Sequence, residues 1–163
     1  MSLRWTVETD SPEQTRRLGA ALGARLEGGD FVALDGDLGA GKTTFCAGVG
    51  DGLEVDEPLR SPSYLLCHEA VGRLPVLHLD AYFTERLEGL LVEGLAERFD
   101  AATAVLVEWA ERIAAWLPQE RLEVRLRASA GEDSREIEVI ALGARPEALL
   151  KTLKKAWKVT PQA

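Results

Sequence analysis

Residues 36–44 read Gly-Asp-Leu-Gly-Ala-Gly-Lys-Thr-Thr, and Gly36 through Gly41, Lys42 and Thr43 fit the pattern G-x-x-x-x-G-K-[ST]. Each residue type has a chemical job. Gly36, Gly39 and Gly41 let the backbone take dihedrals that a side chain forbids, so that successive N–H groups can turn inward onto phosphate oxygens. A helix starting at Lys42 aims its partly positive N-terminus at the same anion. Lys42 adds a mobile point charge for the β- and γ-phosphates, and the Thr43 hydroxyl is placed to ligate Mg²⁺. Lys42 is also the only lysine among residues 1–150, where every other cation is arginine. A compact ammonium suits a phosphate cradle. The expected nucleotide-binding residues are therefore Asp37, Leu38, Gly39, Ala40, Gly41, Lys42, Thr43 and Thr44.

A cradle of this kind binds; hydrolysis needs further groups aimed at metal and water. Two apolar runs end in an acid, residues 75–79 at Asp80 and residues 104–107 at Glu108. A carboxylate at the C-terminal tip of a buried strand stands at the edge where such loops bind their ligands. Either acid can hold Mg²⁺, directly or through water, or orient the attacking water. Glu108 is expected near the metal, Asp80 beside the water or in the metal shell, and Lys42 completes the catalytic set. The segment Ser61-Pro62-Ser63-Tyr64 falls where a γ-phosphate-sensing loop often lies, with the Ser63 hydroxyl as sensor. His78, two residues before Asp80, shares its strand face and reads first as a hydrogen-bonded structural residue. Trp109 can stack on a base or a partner, or pack in the core. The chain has no asparagine, which excludes guanine readout by an Asn-Lys-x-Asp loop and favours ATP over GTP.

These groups need a scaffold, and the hydrophobic pattern outlines one. Alternation predicts a strand over residues 3–9. Ser11 as cap, Pro12 in the first turn and Gln14 closing a capping box start a helix. Its stripe is Leu18, Ala21, Leu22 and Leu26, and Gly28-Gly29 ends it. A strand over 31–34 leads into the loop, a helix from Lys42 to Val49 stops at Gly50, and residues 51–62 are loop. A strand pair spans residues 64–67 and 74–79 around Gly72. A helix over 85–99 carries Leu87, Leu90, Leu91, Leu95 and Phe99, a buried strand runs over 104–107, and Pro118 closes a helix over 110–117. A hairpin turning at residues 130–133 faces Leu122, Val124 and Leu126 with Ile137 and Val139. Pro146 opens a last helix, to about residue 158, with Leu149, Leu150, Leu153 and Trp157 along one side. Strands alternating with helices, without repeat or linker, predict one domain over residues 1–163. Its class is α/β, a P-loop NTPase three-layer sandwich with a mixed, centrally parallel sheet.

Composition sets the outer bounds. A chain of 163 residues that is 46% hydrophobic and 28% charged suits one soluble domain with a real core. No apolar stretch approaches the ~18 residues of a membrane span, and there is no secretory h-region. Cys46 and Cys67 make neither a disulfide framework nor a metal-ligand spacing, so a cytoplasmic location is expected. Residues 1–150 hold all 27 acids and 15 of the 19 bases, a net of −12, whereas the last thirteen residues hold four lysines and no acid. So acidic a body is a poor direct partner for nucleic acid.

In order along the chain, Gly36 to Thr44, then Ser61-Pro62-Ser63-Tyr64, then His78-Leu79-Asp80-Ala81-Tyr82, then Glu108-Trp109-Ala110-Glu111, the sequence resembles the TsaE (YjeE) family over roughly residues 5–142. That resemblance implies a small bacterial ATPase needed to make threonylcarbamoyladenosine beside the anticodon of tRNAs that read ANN codons. It implies ATP and Mg²⁺ as cofactors and weak hydrolysis in isolation. The partners it implies are TsaB and TsaD, with TsaD transferring the threonylcarbamoyl group and the ATPase resetting their complex between turnovers; tRNA is met only through that complex. It would put Thr43 and Glu108 on Mg²⁺, Asp80 close to metal and γ-phosphate, and Lys42 on the phosphates. The chain departs from the family at Ser63, where threonine is usual and the hydroxyl is kept. It departs again at Phe83, where the arginine that usually follows Tyr82 is lost. Two other readings stay open. One is a small-molecule kinase with Asp80 as base, although no arginine-rich lid segment is present. The other is a non-catalytic, nucleotide-gated binding module.

Lys151, Lys154, Lys155 and Lys158 share a helix side opposite Leu150, Leu153 and Trp157, either as a solvated face or as a docking site for an acidic partner or nearby tRNA phosphate. If they dock, reversing the four charges weakens binding to the TsaB–TsaD complex and flattens its salt dependence. Affinities titrated at two salt concentrations check this; unchanged, salt-independent binding rules docking out.

Overall fold

A computed structural model describes residues 2–60 and 66–159; Ser63 and the rest of the segment 61–65, including the expected γ-phosphate sensor, lie outside them. The strands are β1 (Leu3–Thr9), β2 (Phe31–Asp35), β3 (Cys67–Val71), β4 (Pro75–Asp80), β5 (Ala104–Glu108), β6 (Arg121–Ala128) and β7 (Arg135–Leu142). The α-helices are α1 (Pro12–Gly23), α2 (Lys42–Leu53), α3 (Thr84–Val92) and α4 (Ala144–Val159). One sheet holds all seven strands in the order β1-β7-β6-β2-β5-β4-β3. The strands β6, β2, β5 and β4 are mutually parallel, and β3 at one edge and β7 and β1 at the other run antiparallel to their neighbours.

The central strands are near-continuous apolar runs because both of their faces are covered. Val32, Leu34, Leu106 and Val124 pack against α1, α2 and α4 in one core. Phe31, Ala33, Leu77, Val105 and Val107 pack against Leu87, Leu91 and Ile113 in the other. Three layers result, as expected. Beyond β2 the second face loses its helices, and β6 and β7 alternate accordingly. Arg121, Glu123, Arg125, Glu138 and Arg4 stand there as a ladder of ion pairs, with N–O distances of 2.8 to 3.8 Å. Three arginines share two glutamates along it.

Helix α1 starts as read, α4 starts at Ala144, ahead of the expected Pro146, and several ends differ. The Ser11 Oγ accepts the Gln14 N–H at 3.2 Å, while the Gln14 Oε1 accepts the N–H of Asp10, at 2.8 Å, rather than that of Ser11. Helix α1 ends at Gly23 and not at Gly28. The Asp30 carboxylate accepts the Glu27 N–H at 2.8 Å and pairs with Arg145 at 2.7 and 3.0 Å, which pulls the chain out of the helix. Leu26 still reaches the core through that turn. Helix α2 passes through Gly50 and ends at Leu53, where Glu54 turns left-handed at φ 57°. The region of positive φ at Leu66 (64°) delays β3 to Cys67, past the expected start at Tyr64, which lies outside the described residues. The helix expected over 85–99 divides at Gly94, and a 3-10 turn, Leu95–Arg98, completes it; Leu90 faces outward. Ala110–Trp116 is 3-10 and not α, broken at Ile113. Ala110, Ile113 and Trp116 recur every three residues, the period of that helix. In α4, Leu149, Leu150, Leu153 and Trp157 are buried and Lys151, Lys155 and Lys158 exposed. Among the described residues no helix is long and apolar enough to cross a membrane.

Helix α2 runs long because its glycines mark contact rather than termination. A Cβ at Gly19, Gly23, Gly48 or Gly52 would stand 2.0 to 2.2 Å from a carbonyl oxygen of the facing helix, so α1 and α2 meet backbone to backbone. Gly48→Ala must push Arg16 and α1 away, and is expected to cost about 1–3 kcal/mol despite alanine's better helix propensity. Gly89→Ala, in α3 with open space around it, is expected to stabilise by about 0.5–1 kcal/mol. Urea unfolding of both variants checks the contrast.

Candidate functional site

The chain leaves β2 at Asp35 and enters the loop, where Gly39 and Gly41 sit at φ 78° and 104°, in the left-handed region that a side chain resists. Gly41 caps α2, and its carbonyl accepts the Phe45 N–H at 2.8 Å to begin the first turn. Leu38 at the loop tip is 76% exposed, whereas Lys42 is buried. The Lys42 Nζ donates to the carbonyls of Gly36 and Asp37, the latter at 3.0 Å, and lies 3.9 Å from the centre of the Trp109 ring. Burial lowers the Lys42 pKa, and the carboxylates of Glu108, Asp35, Asp80 and Asp37 oppose that shift.

Parallel pairing brings the acids to the loop. Leu34 and Asp80 each register with Glu108, so three neighbouring strands end together. Thr43 Oγ1 lies 3.5 Å from Glu108 Oε1, and Glu108 Oε2 lies 2.7 Å from His78 Nε2. The Asp80 Oδ1 accepts the Tyr82 N–H at 2.8 Å. His78, Asp80 and Glu108 are all buried. Thr43, Asp80 and Glu108 thus offer a hydroxyl and two carboxylates to a hard cation. The Cys46 sulfur lies within 4.8 Å of ligand atoms of His78 and Glu108, but burial holds its thiol well above the usual range and hence protonated.

Two cavities meet at the loop. One, of about 600 Å³, is lined by Lys42, Thr43, Asp80, Phe83, Glu108 and Trp109, and the other, of about 890 Å³, lies beside Gly39 against Ala114, Leu117, Arg121 and Arg125. Both fall in the size range of small-molecule sites. Asp37, Leu38, Gly39 and Ala40 line the larger one, and Leu38, Gly39, Gly41 and Thr44 also edge the smaller. Trp109 is half-buried at φ 59°, with Lys42 and the Arg112 guanidinium (4.9 Å) against its ring and Tyr82 edge-on at 5.3 Å. Phe83 packs edge-on to Tyr82, at 5.1 Å, on the rim of the smaller cavity.

Three residues here went unread in the sequence. Asp35 ends β2 as a third acid at the sheet edge. Arg112 donates to the Tyr82 carbonyl at 2.7 Å, linking the segments that follow β4 and β5. Arg135 donates to the carbonyls of Gly39 and Ala40. For Asp35 the acid-at-a-strand-tip signal was available; for the two arginines no local signal exists.

Residues 9–137 match the family described as Threonylcarbamoyl adenosine biosynthesis protein TsaE. The tRNA threonylcarbamoyladenosine biosynthesis protein TsaE of Bacillus subtilis (strain 168) is 40% identical over 154 residues, 94% of each chain. Its counterpart of the same name in Treponema pallidum (strain Nichols) is 37% identical over 129 residues, 79% of this chain and 95% of its own. The crystal structure of YdiB from Bacillus subtilis superposes with a TM-score of 0.81 at 37% identity, covering 96% of this chain and 97% of that one.

Burial raises the Asp35 pKa from its ordinary value, while the Glu111 N–H, donating at 3.0 Å, opposes the rise. A raised folded pKa burdens the folded state at every pH above that value, and the burden fades as pH falls to the unfolded one. Asp35→Asn keeps an oxygen for the Glu111 N–H and removes the charge. Its melting temperature is expected to exceed wild type at neutral pH, with the gap closing below about pH 4. A gap that persists in acid would assign the effect to packing instead.

Proposed function

The chain belongs to the TsaE family, and we propose that it is an ATP- and Mg²⁺-binding ATPase required for threonylcarbamoyladenosine modification of tRNA, acting on the TsaB–TsaD complex. The observation that carries the reading is the Thr43 hydroxyl 3.5 Å from the Glu108 carboxylate, with Asp80 registered beside it at the mouth of a glycine-rich loop. The relatives' names supply the pathway.

The residues divide the work. Loop N–H groups and the N-terminus of α2 hold the phosphates. Lys42 already stands among the loop's own carbonyls, so it exchanges the Gly36 and Asp37 oxygens for phosphate oxygens without crossing solvent. The ring of Trp109 keeps water off one side of the ammonium. Thr43, Glu108 and Asp80 are hard oxygen donors that fit Mg²⁺, and the ion, when bound, neutralises charge on the phosphate oxygens. Asp80, held by the Tyr82 N–H, orients the attacking water. His78 fixes the carboxylate plane of Glu108 from beneath. With TsaB and TsaD as partners, tRNA is reached only through their complex, in keeping with the acidic body and with the arginines of the open sheet face being engaged by glutamates.

Phosphate release by the protein alone is expected to be slow and to rise when TsaB and TsaD are added. Lys42→Ala is expected to lower ATP turnover and multiple-turnover tRNA modification by about a hundredfold or more, and Glu108→Gln to retain ATP binding while losing hydrolysis. Reconstituted threonylcarbamoyl transfer with equal multiple-turnover yields from wild type and Lys42→Ala overturns the reading. ATP turnover that leaves a phosphorylated metabolite would point to a kinase.

A further inference from the structure

The phosphate loop is gripped from outside by a side chain that the chemistry above does not use. Arg135 opens β7, and because β7 runs antiparallel to β6, where Ala128 pairs with it, it stands at the same sheet edge as the loop. Its Nε donates to the Ala40 carbonyl at 3.0 Å and its Nη2 to the Gly39 carbonyl at 3.1 Å. Its Nη1 donates to the carbonyls of Glu132 and Ser134 at 3.0 and 2.8 Å, anchoring the fork in the turn between β6 and β7. Among the described residues no carboxylate lies within ion-pair distance of it, so its charge stands unneutralised beside the loop.

Peptide geometry gives this grip a consequence. Among the described residues every peptide bond is trans, so each N–H points away from the carbonyl of its own peptide plane. Holding the Ala40 carbonyl on the guanidinium turns the Gly41 N–H the other way. Gly41, at φ 104°, has the conformational freedom that such an anchor must remove. Bridging two successive carbonyls while holding two more needs a rigid planar fork of donors, which arginine has and lysine lacks.

We propose that Arg135 is the positioning residue of the phosphate loop: it locks the carbonyls of Gly39 and Ala40 outward, so that the Gly41 N–H stands ready for a triphosphate while the Ala40 N–H closes the loop's own turn onto the Asp37 carbonyl at 3.0 Å, and it adds positive charge beside them. This rests on the ATP-binding reading above. Isothermal titration of the full chain with ATP and Mg²⁺ tests it. Arg135→Ala is expected to weaken ATP binding about tenfold or more, with millimolar guanidinium restoring much of the loss, which repair of a merely structural defect would not do. Arg135→Lys keeps stem and charge and is expected to stay weakened, and it carries the test if the alanine variant fails to fold. Wild-type affinity in either variant, or no rescue of Arg135→Ala by guanidinium, overturns the proposal. A wild-type chain that binds no ATP overturns the functional reading itself, whereas binding that the variants share overturns this inference alone.

Discussion

The pairing of β5 with β2 on one side and β4 on the other is the constraint on which the rest of the molecule depends. It places Leu34 and Asp80 level with Glu108, so that the loop leaving β2 meets two acids at one height. A slip of one residue in β4 would turn His78 and Asp80 to the opposite face. What prevents it is the opposite face, the apolar core of Leu77, Leu79, Val105 and Val107, where a buried imidazole or carboxylate would be left without a partner. The geometry of the site is thus held by apolar side chains that carry no ligating group.

Around that register the protein collects charge where charge is costly. Lys42, Asp80 and Glu108 are buried, and Asp35 is partly so, yet each has found a donor or acceptor. Asp35 and Asp80 use N–H groups of residues just past strand tips, Glu111 and Tyr82, while Glu108 uses His78. Groups held this way before any ligand arrives need little rearrangement when one does. The expense falls on stability, and the shifted values of Lys42 and Asp35 register it, both driven first by burial.

The two halves of the sheet serve different ends. The parallel half, covered on both faces, holds the strand tips. The antiparallel half leaves one face to solvent, lined by paired arginines and glutamates, and sends Arg135 back to the loop from its far turn. Helix α2 is fixed against α1 by backbone contact at four glycines, which leaves the start of α2, and with it Thr43, little room to drift.

The sequence by itself determined the loop, the two acidic strand tips, the Ser11 cap, the β6–β7 hairpin and the two faces of α4. Each depends on neighbours a few residues away or on the alternation of side chains along one strand. The family followed from the order of the same short motifs. Only the tertiary structure decided where α1 and α2 end, that residues 110–116 wind as a 3-10 helix, and that Lys42 rests against Trp109. Gly50 read as a stop because a lone chain gives glycine no packing partner. Arg112 and Arg135 escaped for a related reason: the bonds that define them span 30 and 95 residues, and local sequence carries no trace of which backbone groups folding will bring within reach, whereas Asp35 was legible as an acid at a strand tip and only its bond to the Glu111 N–H, 76 residues away, was not.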